Sequence, residues 1–245
     1  MLRGMAHLHR FFFDDALRSN TEILLDGDEA HHALHAVRVR PGQRVALING
    51  RGEEAQGEVL ATTRHEVRVA CATVEATPAP ERRLAILQAA LHNPKATEFL
   101  VKHGTELGVQ SFVFFRGRHS ERVPNTLDKL QRTAIEAMKQ SGRRWLPALD
   151  LVDDLDAALD TAKGALAIAS MDATPVPLAQ VAANAHDLAL LIGPEGDFAP
   201  EETERALARG AQPLSLGAYT YRSEVAATLL ATLVQHAWGT LGPQA

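Results

Sequence analysis

The chain has a single cysteine, Cys71. No internal disulfide can form, so the fold must rest on its apolar core, and that usage suits a reducing compartment. No apolar run reaches the ~20 residues that a helix needs to cross a bilayer, which argues against an integral membrane protein. The first thirteen residues carry Arg3 and Arg10 on a short apolar stretch and do not read as a secretory signal. These absences give a cytoplasmic location as the expectation. Positive charge is also in short supply. The net charge of −5 at first argues against a nucleic-acid partner. Internal repeats and low-complexity tracts are missing as well.

What is present is ordinary for a globular protein: 46% apolar and 22% charged residues over 245 positions, enough for one large domain or two modest ones. The charge is unevenly spread. Residues 116–144 hold eight Lys/Arg against three Asp/Glu, and residues 145–212 hold three against twelve. One segment can therefore face a polyanion while the molecule stays acidic. Solvated helix faces explain the same counts.

The pattern divides near residue 76. Before it, Gln43–Asn49, Glu54–Ala61 and Glu66–Thr73 alternate Val with polar residues, separated by Pro41-Gly42 and by Asn49-Gly50-Arg51-Gly52. This predicts a small β-barrel or sandwich with one short helix over 28–37. Thr77-Pro78-Ala79-Pro80 reads as a linker. After it, Leu84–Leu91, Phe112–Phe115, Ala165–Ala169, Leu188–Ile192 and Pro213–Leu216 are apolar without alternation. Such runs predict strands buried on both faces, hence an α/β domain with a parallel sheet. Helices are expected over 95–107, 127–141, 155–161, 200–208 and 224–238. Pro200 would be a first helical position, Ser223 would cap the last helix and Gly239 would close it.

Two glycine loops follow two of these strands: Gly193-Pro194-Glu195-Gly196-Asp197 and Leu216-Gly217. In an open α/β sheet, ligands bind outside the carboxyl ends of the strands. The first loop lacks the Lys-Ser/Thr pair of phosphate-cradling loops, and Glu195 and Asp197 would repel a polyphosphate. A neutral or cationic small molecule fits better, although either loop alone also reads as a structural turn. Arg222 opens the last helix, where a cation opposes the dipole unless it faces something negative. An ion pair within the protein and a ligand anion are the two candidates.

Lys95, Glu98, Lys102 and Glu106 share one face of a predicted helix, and i,i+4 pairing in solvent is the default reading. Arg116, Arg118, His119, Ser120 and Arg122 follow the 112–115 strand, and Gln140-Ser141-Gly142-Arg143-Arg144 ends the next helix. Arginines among small polar residues at such ends suit phosphate oxygens.

Taken in order, these segments resemble one family over nearly the whole chain. Arg10-Phe11-Phe12, His32 with Val37-Arg38 and Gly42, Gln88-Ala89-Ala90-Leu91 with Lys95, Glu98, Lys102 and Glu106-Leu107-Gly108-Val109, then Ser120-Glu121-Arg122, Gln140-Ser141-Gly142-Arg143, Leu191-Ile192-Gly193-Pro194-Glu195-Gly196, Leu216-Gly217, Arg222 and Glu224 are similar to the motifs of the ribosomal RNA small subunit methyltransferase E family, of the SPOUT class. Asp197 stands where the family usually has Gly, Ala199 where it has Ser, Val225 where it has Thr and His92 where a Lys is common. Ala218-Tyr219-Thr220-Tyr221 replaces a more aliphatic pattern.

The resemblance implies a PUA-like RNA-binding β-barrel over 1–76, a linker over 77–83 and a SPOUT domain over 84–245 whose parallel sheet, flanked by helices, carries a trefoil knot. It implies a cytoplasmic homodimer that uses S-adenosylmethionine, and no metal, to methylate N3 of one uridine of 16S rRNA in the decoding region of the small ribosomal subunit. The cofactor would be held by Leu191, Ile192, Gly193, Pro194, Glu195, Gly196, Leu216, Gly217, Tyr219 and Tyr221. Catalysis would fall to Arg222 and Glu224. RNA would meet Arg38, Lys95, Lys102, Arg116, Arg122, Gln140, Arg143 and Arg144. Two other readings stand at this point: a nucleotide-dependent α/β enzyme, and a noncatalytic RNA-binding or ribosome-assembly factor whose pocket Tyr219 and Tyr221 block.

Overall fold

The computed structural model describes residues 8–241 except 121–122, 124–125 and 171–173. They form two compact units. The first runs up to Ala79 and also takes in Met138–Leu146. The second holds Pro80–Ala137 and the chain from Pro147 onward.

In the first unit, strands β1 (Arg10–Phe12), β2 (Thr21–Leu25), β3 (Arg44–Ile48), β4 (Glu53–Thr62) and β5 (Val67–Ala76) form one sheet in the order β1-β3-β4-β5-β2. β1 joins β3 in parallel and the other pairs are antiparallel. Alternation along β4 and β5 turns Val59, Val67, Val69 and Cys71 inward onto Phe11, Leu17, Ile23, Leu25, Val45 and Leu47. Burial pushes the Cys71 thiol up from its usual value, so it stays protonated as a small apolar side chain. The register of β4 on β5 slips at Gln56/Gly57 and again at Val59/Ala61. Gly57 permits the first slip, because a Cβ there would lie 2.6 Å from the Val69 side chain.

The helix expected over 28–37 is an α-helical turn, α1 (Gly27–His31), that widens into a π-helical segment over His32–Val37. Arg38 ends it in the left-handed region at φ 60°, a place where glycine or asparagine is usual. β1 and β2 were not expected. Both are short and carry no alternation long enough to read.

Met138–Leu146 belongs to this unit through charge. Lys139 Nζ lies 2.8 Å from Glu29 Oε1, with side-chain exposures of 5% and 18%. The other Glu29 oxygen accepts the Phe12 N–H at 3.0 Å. Arg144 donates to Glu54 and Glu75, at 2.8 and 2.9 Å, and to Thr77 Oγ1 at 2.9 Å. Burial draws its guanidinium down, but the hydrogen bonds and charges of Glu75 and Glu54 outweigh that and raise it. The Trp145 indole donates to the carbonyls of Thr77 and Pro78. The expectation that Arg144 is open to RNA is therefore corrected: its donors are engaged within the protein. A linear charge count cannot see which arginine finds its carboxylates across the fold.

In the second unit, β6 (Arg83–Ala89), β7 (Ser111–Arg116), β8 (Ala148–Asp154), β9 (Ala165–Ala169), β10 (Asp187–Ile192) and β11 (Gln212–Leu214) form a sheet in the order β11-β9-β10-β6-β7-β8, parallel throughout. The helices are α2 (Pro94–Leu107), α3 (Asp128–Ser141), α4 (Leu155–Thr161), α5 (Leu178–Asn184), α6 (Pro200–Ala208) and α7 (Ser223–Ala237). The unbroken apolar runs have the cause anticipated for them. Leu87, Val113, Phe115, Ile168, Ala189 and Leu191 point to one buried face, with α4 packed there. Their neighbours Leu84, Ile86, Phe112, Phe114, Leu188 and Leu190 are buried on the other. α7 packs on β10 and on α2, and Gly104 of α2 meets the Phe112 ring so closely that a Cβ would lie 2.5 Å from it. β8, the edge strand, was not expected. It carries Asp150, Asp153 and Asp154, which keep an exposed edge from pairing with other chains. Seven-residue α5 was also unexpected.

Replacing Lys139 by Met leaves Glu29 partly buried and without its cation. Such a break costs about 3 kcal/mol, so the urea midpoint of the K139M protein is expected to fall clearly. An unchanged midpoint would show that this ion pair does not hold Met138–Leu146 in the first unit.

Candidate functional site

The site begins with one polar side chain in an apolar strand. Gln88 pairs with Ile192 of β10 on one side and Phe114 of β7 on the other, and it is fully buried. Its Nε2 lies 3.1 Å from the Gly193 carbonyl, 2.9 Å from the Ala89 carbonyl and 2.9 Å from Ser223 Oγ. An amide facing carbonyls in this way must present its nitrogen, since the flipped form would set oxygen against oxygen. Ser223 Oγ in turn donates to the Gly193 carbonyl. Ser223 was expected to cap α7. Instead Arg222 takes the cap position, and the Ser223 hydroxyl, one residue inside the helix, ties α7 to the end of β10.

The loop after β10 is held from several sides. Asp197 sits in the left-handed region at φ 60°, a conformation that favours glycine. Its Oδ1 accepts the Phe198 N–H at 2.8 Å, a local bond that lets aspartate tolerate this conformation. The Glu195 carboxylate accepts the His92 N–H at 3.0 Å. His119 Nδ1 lies 3.1 and 3.0 Å from the carbonyls of Gly196 and Asp197, so this nitrogen carries the proton and donates. Ala199 offers no side-chain cap to α6. Glu202, buried in the first turn, reaches back to accept the Ala199 N–H at 2.9 Å, half of a capping box. Its other oxygen accepts the Arg118 N–H at 2.9 Å.

The second loop turns at Gly217, φ 98°, with its N–H on Ser215 Oγ at 3.1 Å. The two loops then enclose a cavity of about 370 Å³ at the carboxyl ends of β9, β10 and β11, within the size range of small-molecule sites. Of the expected cofactor residues, Ile192, Gly193, Pro194, Glu195, Leu216, Gly217, Tyr219 and Tyr221 line it, as does Arg222. Leu191 does not, because strand alternation turns it into the opposite core face. Gly196 backs onto His119 instead. Glu224, in the first turn of α7 and half-buried, is outside the wall.

Ala169, Ser170, Leu214, Ser215 and Ala226 also line the cavity and were missed. Only the parallel pairing of β9 with β10 and β11 brings the first two there. The wall is mostly apolar, with Ile192, Leu214 and Leu230 among its lining. Arg222 is its one cation, and Glu195 and Asp197 are its anions. That is a poor site for a polyphosphate and a good one for an uncharged or cationic organic molecule. Tyr219 is 77% exposed and Tyr221 38% exposed. They stand at the wall and leave the volume open, so the blocked-pocket reading loses its support. Among the described residues Arg222 has no carboxylate partner, which removes the ion-pair reading of its place at the helix start. No group of three His, Cys, Asp or Glu among the described residues is placed to hold a metal ion, and no described helix is long and apolar enough to cross a membrane.

Lys95 and Lys102 of α2 do not pair with Glu98 and Glu106 along the helix as expected. Glu98 binds Lys129 of α3 at 2.6 Å and Glu106 binds His103 at 2.8 Å. Lys95 and Lys102 are left exposed, with no ion pair among the described residues. Arg116 is exposed at the end of β7. Arg122 lies outside the described residues. In the first unit Arg38 and Gln140 are exposed, and Arg143 is half-buried, which pulls its guanidinium below the usual value.

Residues 78–235 match the model of an RNA methyltransferase domain, and residues 25–70 that of an RNA methyltransferase PUA domain. A ribosomal RNA small subunit methyltransferase E of Mycobacterium bovis is 26% identical over 231 residues, which is 89% of this chain and 88% of that protein. The crystal structure of a ribosomal RNA small subunit methyltransferase E from Neisseria gonorrhoeae, bound to S-adenosyl methionine, has the same fold. Its TM-score is 0.86 at 22% identity, over 95% of this chain and 98% of that one. A probable rRNA-methyltransferase from Porphyromonas gingivalis gives a TM-score of 0.82 at 29% identity, over 95% and 99%.

Ser223→Ala takes one of two side-chain donors from a buried carbonyl and is expected to cost about 1–2 kcal/mol. Gln88→Leu is expected to cost about 2–3 kcal/mol. Because each single variant leaves the Gly193 carbonyl one side-chain donor and the double variant leaves it none, the double variant should lose more than the sum. Chemical denaturation of the three proteins checks this, and simple additivity would show that Gly193 is not their shared point.

Proposed function

The chain belongs to the RNA methyltransferase family, whose domain model spans residues 78–235, and from that premise we propose that it transfers a methyl group from S-adenosylmethionine to N3 of one uridine of 16S rRNA in the small ribosomal subunit. The observation that carries this reading is the cavity formed where the two glycine loops meet at the strand ends. Its lining fits the cofactor: backbone groups of residues 192–196 and 216–221 for the polar parts, apolar walls, and the carboxylates of Glu195 and Asp197 beside a cationic sulfonium. When bound, S-adenosylmethionine supplies an electrophilic methyl group.

The residues of this chain have two further tasks. They must hold the uracil in line with that methyl, and they must deal with the N3 proton, since the protonated nitrogen is not a nucleophile. Arg222, on the cavity wall and without a partner carboxylate among the described residues, is assigned to the negative charge that develops on the uracil oxygens. Glu224, two residues beyond Arg222 in the first turn of α7 and outside the cavity lining in this structure, is assigned as acceptor of the N3 proton.

Residues 1–76 are assigned as the RNA-binding domain, 77–83 as the linker and 84–245 as the methyltransferase domain, with Met138–Leu146 returning to the first unit. RNA is assigned to Arg38, Lys95, Lys102, Arg116, Arg122, Gln140 and Arg143. The active species is taken to be a cytoplasmic homodimer.

Radiolabelled methyl transfer to unmethylated small subunits, followed by mapping of the modified base, tests the activity. Arg222→Ala is expected to lower kcat about 100-fold and Glu224→Ala at least as much, both with cofactor binding retained by calorimetry. Normal rates in either variant would remove that residue's role. Each phosphate contact adds about 0.7–0.9 to the slope of log affinity against log salt, so the Lys95→Ala, Lys102→Ala double variant should show a slope smaller by about 1.5. An unchanged slope would take α2 off the RNA surface.

A further inference from the structure

Tyrosine occurs twice in 245 residues, at 219 and 221, and both rings stand on the wall of the one cavity already described. The two differ in their surroundings. Tyr221 is 38% exposed and Tyr219 is 77% exposed, more than any other large apolar side chain among the described residues. The phenylalanines Phe11, Phe112, Phe114 and Phe115 are fully buried, as the hydrophobic effect requires of large rings. No ring contact or hydrogen bond to the Tyr219 side chain is found among the described residues, so the ring contributes nothing to the core that would offset its exposure. Gly217, in the left-handed region at φ 98°, turns the chain into this loop. Three residues beyond Tyr219, Arg222 lines the same cavity.

The proposed reaction sets a requirement that this ring meets. N3 lies on the Watson–Crick edge of uracil, so a base methylated there has left any pairing and must be turned out of its stack to reach an enclosed site. Proteins receive such bases by stacking them on aromatic rings. Tyr221, on the same wall, has half the exposure of Tyr219, and Phe99, the remaining exposed apolar ring among the described residues, lies on α2 against His103. We infer that Tyr219 is the stacking platform for the unpaired base presented to the cavity, a substrate-recognition residue and not a cofactor contact through its side chain. The inference rests on the methyl-transfer reading for the identity of the base. The backbone of residues 216–221 remains free to hold the cofactor, so one loop serves both ligands, peptide groups for one and a ring for the other.

The test uses the full-length chain, its Tyr219→Ala and Tyr219→Phe variants, and two short single-stranded RNAs, one with a single uridine and one abasic at that position. Fluorescence anisotropy is expected to show that Tyr219→Ala weakens the uridine RNA about ten-fold and leaves the abasic RNA unaffected. Tyr219→Phe should restore the wild-type value. With small subunits, KM should rise in Tyr219→Ala while S-adenosylmethionine affinity, by calorimetry, stays the same. An equal loss on the abasic RNA would overturn the inference, as would an unchanged uridine affinity, a parallel loss of S-adenosylmethionine affinity, or a change in sedimentation that places the ring between two copies of the chain. A wild-type protein that prefers the uridine RNA through Tyr219 yet transfers no methyl group would remove the methyl-transfer reading and leave the stacking role standing.

Discussion

The carbonyl of Gly193 is the point on which the cavity depends. It accepts from Gln88, a side chain of β6, and from Ser223, at the start of α7. Three segments far apart in sequence are thereby fixed to one oxygen. A buried carbonyl left without donors carries a penalty larger than the net gain of an ordinary hydrogen bond, so the two donors do more to dictate the geometry than to add stability. With them in place, the chain leaving β11 must return to the end of β10 before α7 can begin. The second loop is thus laid beside the first, and the cavity is the space between them. The polar residue in the middle of an apolar strand follows from this. Leucine at 88 would pack as well and would leave the return of the chain unspecified.

Around that point the backbone is held by local side-chain bonds. Asp197 occupies a backbone conformation that favours glycine, and its own carboxylate holds it there through the Phe198 N–H. The serine that would cap α6 is absent at 199, and Glu202 supplies the missing acceptor. The second oxygen of Glu202 binds Arg118, and His119, the next residue, binds the carbonyls of the first glycine loop. The turn after β7 therefore braces the loop after β10. Tyr219 and Tyr221 are of another kind. Their rings stand at the cavity wall.

How far the sequence was legible follows from the range of the interactions involved. The strands of the parallel sheet were readable because burial on both faces leaves a local mark, an apolar run without alternation, as in residues 112–115 and 188–192. The glycine loops were readable for the same reason, their chemistry being contained in five residues. β8 was not, since an exposed edge strand rich in aspartate looks like a loop. Ser170 was not, because nothing in residues 165–170 says that β9 lies between β10 and β11. The end of α3 misled most. Arg144 looks like a phosphate-binding residue, yet its partners are Glu54 and Glu75, and pairing over such separations leaves no trace in composition.

That last point bears on how an acidic chain can serve an RNA substrate. Net charge sums over residues whose fields are already cancelled at short range, and screening removes most of what remains beyond about 8–10 Å. What an approaching phosphate meets is the set of cations without an anion beside them. By that measure the basic stretch 116–144 is less basic than its composition, because Lys139 and Arg144 are spent inside the first unit and Lys129 on Glu98. The stripe on α2 is more basic than its composition, because Glu98 and Glu106 turn to Lys129 and His103 and leave Lys95 and Lys102 uncompensated. A strongly positive protein would bind any polyanion. A protein that cancels part of its positive charge with its own carboxylates holds an RNA best where several phosphates meet the remaining cations together. Phosphate contacts carry no sequence information, so the choice of nucleotide falls to the groups that touch the base.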